Sequence, residues 1–137
     1  MITSIQQLAE YEQLIEDIRA GVRLPGLGLS RSARLPIISA IYETLNWPIV
    51  LVVERMDQAL RFADELSFWM SSELVQLFPE PTPMFYENAS WGSLARRDRL
   101  QSLTKLSGYH LPGVEKVKKA PILITTVRGL MTRTLPR

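Results

Sequence analysis

Pro48-Ile49-Val50-Leu51-Val52-Val53 decides how the rest of the chain is read. The run is short, apolar and rich in β-branched side chains, and its apolar residues do not alternate with polar ones. That pattern suits a parallel strand covered on both faces, and it predicts a central strand. Ile122-Leu123-Ile124-Thr125-Thr126 has the same character, and Val75-Gln76-Leu77-Phe78 is a shorter version. Val22-Arg23-Leu24 reads as a further short strand, limited by Pro25.

Helical patterns fill the spaces between these runs. Ile5, Leu8, Tyr11, Ile15 and Ile18 recur at helical spacing and predict one helix over residues 5–20, capped by Thr3 or Ser4 and ended by Gly21. Leu35, Ile38, Ile41, Tyr42 and Leu45 predict a second helix, with Ser32 as its N-cap and Pro36 in its first turn. A third helix is expected over 56–71, with Ala59, Leu60, Ala63, Leu66 and Met70 inward. A fourth is expected over 91–106, carrying Leu94, Leu100, Leu103 and Leu106. Residues 79–86 hold three prolines and 108–119 read as a loop, while 127–131 start another helical turn. Strands separated by helices imply an α/β fold with a mainly parallel sheet and helices on both faces.

Composition narrows the function. The 137 residues fit one domain, with an apolar fraction of 46% that can form a true core. No cysteine is present, which excludes disulfides and thiol nucleophiles, and the lone His110 argues against a histidine metal cluster or a Ser-His-Asp triad. Neither a spanning apolar stretch nor a secretory signal is visible, so a cytoplasmic protein without membrane contact is expected. Glu16-Asp17 and Asp64-Glu65 are adjacent pairs that diverge on a helix, so they read as solvated faces. The net charge of +2 conceals an asymmetry. Residues 1–90 carry 6 Lys/Arg against 12 Asp/Glu, a net −6, and residues 91–137 carry 10 against 2, a net +8. Arg96, Arg97, Arg99, Lys116, Lys118 and Lys119 are the candidate nucleic-acid contacts within that basic part. Phe78, Phe85, Tyr86 and Trp91 flank the proline-rich stretch and read as pins holding it to its own domain.

A phosphate-binding loop requires Gly-x-x-x-x-Gly-Lys-Ser/Thr between a strand and a helix, so that backbone N–H groups, the lysine and a magnesium-bound hydroxyl converge on the phosphates. The nearest register is Gly28-Leu29-Ser30-Arg31-Ser32-Ala33-Arg34-Leu35. Only the first glycine is kept. Ala33 replaces the second, Arg34 the lysine and Leu35 the hydroxyl, and a leucine ligates no magnesium. The expectation is a degenerate loop with no cofactor, no metal and no ATP hydrolysis, in which Ser32 and Arg34 could still hold an anion at the helix N-terminus.

This loop resembles the degenerate loop of the bacterial transcription-repair coupling factors (the Mfd family), commonly Gly-Leu-Thr-Gly-Ser-Ala-Arg, with Arg31 where a glycine is usual. Pro48–Val53, the helix around Ala63-Asp64-Glu65-Leu66, Leu77-Phe78-Pro79 and Phe85-Tyr86-Glu87 follow in the family's order. So do Ser93-Leu94-Ala95-Arg96-Arg97 and the segment from Ile122 to Met131. The resemblance covers nearly the whole chain and implies the N-terminal UvrB-like module, an incomplete P-loop helicase-type domain. It implies a non-catalytic role in transcription-coupled nucleotide excision repair: scaffolding the recruitment of UvrA to stalled RNA polymerase, and autoinhibition. ATP-driven translocation on DNA belongs, in that family, to a separate C-terminal motor. The implied partners are neighbouring domains of a longer chain and, through them, UvrA, RNA polymerase and DNA. The ending Thr134-Leu135-Pro136-Arg137 has no closing element, which fits a piece of a longer multidomain chain. The alternatives are a nucleotide-binding fragment of a UvrB-like helicase and a basic nucleic-acid-binding module.

Overall fold

The structure is a computed structural model and describes residues 2–81, 91–111 and 119–134. The chain divides into two compact units, Met1–Asn46 and Trp47–Arg137.

The first unit is helical: α1 (Ile2–Gln6), α2 (Ala9–Arg19) and α3 (Arg34–Leu45). The single helix expected over 5–20 is broken in two. Leu8 takes an extended backbone (φ −80°, ψ 135°) and stands half-exposed, so it does not continue the apolar stripe. The break lets α1 and α2 each contribute to one small core. Tyr11, Ile15 and Ala40 are its buried residues, and Ile2, Ile5, Ile41 and Leu45 pack against them. Thr3 and Ser4 lie inside α1 rather than capping a helix. Gly21 ends α2 as expected. It takes a left-handed φ of +71°, its N–H bonds Ile18 O at 3.1 Å, and Val22 N–H reaches Asp17 O at 2.9 Å. This paired arrangement closes a helix where only glycine is unstrained. Thr44 spends its one hydroxyl proton on Ala40 O (3.0 Å), so the Tyr11 hydroxyl donates to Thr44 Oγ1 at 2.7 Å.

The second unit carries the sheet. Its elements are β1 (Ile49–Val53), α4 (Met56–Leu66), β2 (Val75–Phe78), α5 (Ser93–His110), β3 (Ile122–Thr126) and α6 (Val127–Met131). The strands are parallel in the order β1-β3-β2, with Ile49 and Val75 both opposite Ile122. The α/β class and the parallel sheet are as expected. The central strand is not: β3 occupies the middle and all five of its residues are buried. β1 lies at the side of the three, with Val50 and Val52 half-exposed. The apolar run at Pro48–Val53 satisfies either position, because hydrophobicity reports burial and not strand order.

The crossover from β1 to β2 passes over β3 and the one from β2 to β3 returns. α4 packs against all three strands and α5 against β2. α4 is shorter than the helix expected over 56–71, since residues 67–70 form a turn, and Phe68 there is exposed. α5 extends through residues 108–110, which were expected to be loop.

α6 sits close to the sheet because it contains Gly129. A Cβ at that position would press into Thr125 Oγ1 and lie 3.2 Å from Phe78 O. Replacing Gly129 by Ala is therefore expected to lower unfolding free energy by about 1–3 kcal/mol, as overpacking does. Urea denaturation checks this; wild-type stability in the variant would show that the contact yields freely.

Candidate functional site

The degenerate loop is formed differently from a phosphate-binding loop. Residues 22–30 contain no strand or helix, so the strand expected at Val22-Arg23-Leu24 is absent. Without a strand feeding it, the loop lacks the strand–turn–helix frame that aims backbone N–H groups at a phosphate. Gly28 has open space around it, so no close backbone approach explains the glycine. A 3₁₀ turn spans Arg31–Ala33 and α3 begins at Arg34.

The N-cap of α3 is Ala33, without a side-chain cap. Ser32 is therefore not the cap. It lies within the 3₁₀ turn, 3.2 Å from the Ser30 hydroxyl. The extra turn displaces the helix start by one residue, from an N-cap at Ser32 to one at Ala33, which hydroxyl spacing alone does not reveal. Leu35, in the place of the metal-binding hydroxyl, is buried. Arg31 and Arg34 are exposed, and Pro36 lies in the first turn as expected.

The basic candidates separate. Arg96 and Arg97 are exposed on α5, and Lys119 is exposed just before β3. Lys116 and Lys118 lie outside the described residues, as do Phe85 and Tyr86. Arg99 is withdrawn from the nucleic-acid set because it is 0% exposed. Its guanidinium is bound within its own unit. Nε donates to Thr134 Oγ1 (2.9 Å), and Nη1 donates to Pro79 O (2.7 Å) and Gly129 O (3.0 Å). Nη2 donates to Thr132 O. The cation also stands 3.8 Å from the centroid of Phe78 and 5.2 Å from that of Trp91. Burial lowers the pKa of Arg99 from its ordinary value, and arginine nonetheless stays charged in proteins. The group is thus a permanent cation supported by carbonyl dipoles and two aromatic faces.

Sequence periodicity missed this. Leu94 and Leu100, expected inward on α5, are exposed, while Arg99 and Ser102 are buried. Ser102 Oγ has Leu77 O at 3.1 Å and Asp98 O at 3.0 Å. The inward side of α5 meets the strand end and its carbonyls, so polar donors suit it better than leucine. The available signal was Phe78 and Trp91, two aromatics of a kind that often accompany a buried arginine. Phe78 is buried and Trp91 partly so, as pins on their own domain.

A groove of about 420 Å³ runs along β2, lined among others by Asp64 and Asp98, with Gln76 and Ser102. Glu16, Asp64 and Glu65 are exposed, as expected of solvated carboxylates. Among the described residues no cluster of His, Asp or Glu could hold a metal ion, and no helix is long and apolar enough to cross a membrane.

Together these features define two units, a small parallel α/β unit and a helical unit that carries a loop with no strand leading into it. The chain is similar to the transcription-repair-coupling factor of Myxococcus xanthus, 26% identical over 132 residues that cover 92% of this chain and 10% of that protein. It is similar also to the transcription-repair-coupling factor of Bacillus subtilis, 27% identical over 135 residues, 98% of this chain and 11% of that protein. The resemblance seen in the residues thus extends over nearly the whole chain. The chain spans about a tenth of the length of these curated relatives. No protein-family model matches, and no solved structure matches.

Removing the Arg99 donors leaves four acceptors without their partner. Arg99→Met is expected to lower unfolding free energy by about 2–4 kcal/mol, because an unsatisfied buried acceptor is costly. The double change Arg96→Ala, Arg97→Ala should stay within about 0.5 kcal/mol of wild type, as exposed positions do. Chemical denaturation of the two variants side by side separates the buried arginine from its exposed neighbours.

Proposed function

We propose that this chain is the non-catalytic N-terminal module of a transcription-repair coupling factor, acting in transcription-coupled nucleotide excision repair. The observation that carries the reading is similarity to two such factors over 92% and 98% of the chain. In this role the module is a scaffold. It helps recruit UvrA to RNA polymerase stalled at damage, acting through neighbouring domains of a longer protein, and it helps hold that protein inhibited until it is engaged. ATP-driven movement on DNA belongs to another part of that protein.

The loop at 28–35 supports the non-catalytic assignment. Leu35 is buried where a magnesium-binding hydroxyl would stand, and no strand precedes the loop at 22–24. Neither fault is repaired by Arg34, which could supply charge but not a metal ligand. The runner-up, a nucleotide-hydrolysing fragment of a UvrB-like helicase, needs both features.

Isothermal titration calorimetry of this chain with ATP and magnesium is expected to give no heat of binding at micromolar concentrations. Micromolar affinity would favour the runner-up. A second measurement tests the role itself. In cells whose coupling factor carries this sequence, deletion of the module should abolish the faster repair of the transcribed strand over the other strand. Unchanged strand preference would refute the scaffold role, whatever the calorimetry gives.

A further inference from the structure

We propose that residues 127–134 form a strap, latched by Arg99 across the carboxyl end of the sheet, that opens as a unit while β3 stays paired. The inference rests on a contrast between two adjacent segments. β3 is buried at all five residues and is hydrogen-bonded to a strand on each side. The segment that follows it leaves each of its large apolar side chains about half exposed or more. Val127 is 56% exposed, Leu130 49% and Met131 81%. Those three residues, at helical spacing i, i+3 and i+4, turn the apolar stripe of α6 towards solvent.

What holds the strap is polar. Arg99 binds it at three points: Gly129 O (3.0 Å), Thr132 O and Thr134 Oγ1 (2.9 Å). At its start, Thr126 Oγ1 accepts from Gly129 N–H at 3.0 Å and donates to Glu80 Oε2 at 2.9 Å. Arg128 Nη1 lies 3.9 Å from Glu80 Oε1, a long and partly exposed ion pair that contributes little. Within the strap, Thr132 Oγ1 donates to Arg128 O at 2.7 Å.

Segments with few buried apolar contacts open locally, well below the cost of global unfolding. Among the described residues, Arg99 supplies three hydrogen bonds that bridge the strap to α5. Arg99 keeps a separate anchor when the strap leaves, since Pro79 O and the Phe78 ring belong to the sheet side. The guanidinium can therefore stay in place and receive the strap again. Gly129 lies beside Thr125 Oγ1 and Phe78 O, so the closed strap covers the carboxyl ends of β2 and β3. In open parallel sheets that end is where ligands enter. The latch thus controls access to the part of this fold most suited to contact.

Native-state hydrogen exchange tests the device on the wild-type chain. Amides of 129–134 should exchange by openings that depend weakly on added denaturant, while those of 122–126 follow the steep dependence of global unfolding. A common steep dependence would overturn the proposal. Arg99→Lys keeps the charge but not the fork. It should speed exchange in 129–134 at least ten-fold relative to 122–126. Thr134→Val, which removes only the Nε contact, should give a smaller effect in the same segment. Equal acceleration of both segments, or none in either variant, would show that Arg99 is an ordinary part of the core.

Discussion

A buried guanidinium ties together two stretches that leave the sheet, the exit of β2 and the segment that follows β3. Arg99 collects carbonyls from the end of β2, from α6 and from the residues after it, and lies against Phe78 and Trp91. A planar fork with several N–H groups reaches these separate acceptors at once, which a lysine ammonium on a flexible stem does less well. None of the acceptors can be met by a leucine. The polar character of α5 at this turn, and the close seat of α6 on Gly129, both follow from that one requirement.

The sheet supplies the rigid frame for this cluster. With β3 in the middle, both neighbouring strands pair with the most deeply buried strand of the unit. Thr125 and Thr126 end that run with hydroxyls placed for local use: Thr125 Oγ1 donates to Phe78 O at 2.8 Å, and Thr126 caps α6. A strand that is apolar along its length and polar at its exit fixes the register of β2 against β3 and the start of the following helix together. The helical unit obeys a different logic. Its core is small, its two N-terminal helices are separated by Gln7 and an extended Leu8, and its loop runs without a strand through a 3₁₀ turn into α3.

Much of this was legible beforehand. Three strands fall where β-branched apolar runs predict them, because such runs are costly to leave in water. Gly21 was identifiable as a helix stop, since a left-handed residue there favours glycine. That Leu35 offers no metal ligand was readable from its residue type alone. Other features were not legible for stated reasons. The break at Leu8 interrupts a periodicity that a one-dimensional pattern carries straight through. Arg99 counted as one of several basic residues on a helix, and only the partners reached from residues 78–81 and 127–134 distinguish it from Arg96 and Arg97.

By itself, the sequence determined the class of the fold, the positions of its three strands and that Leu35 offers no metal ligand, while the strand it suggested at 22–24 did not form. Each of these is local: it depends on residue type, spacing or the absence of one functional group. The tertiary structure alone decided that β3 rather than β1 is central, and that Arg99 faces the core while Leu94 faces water. Strand order depends on crossover paths, and the burial of a charge depends on acceptors brought from distant parts of the chain. Neither is written in the neighbours of the residue concerned.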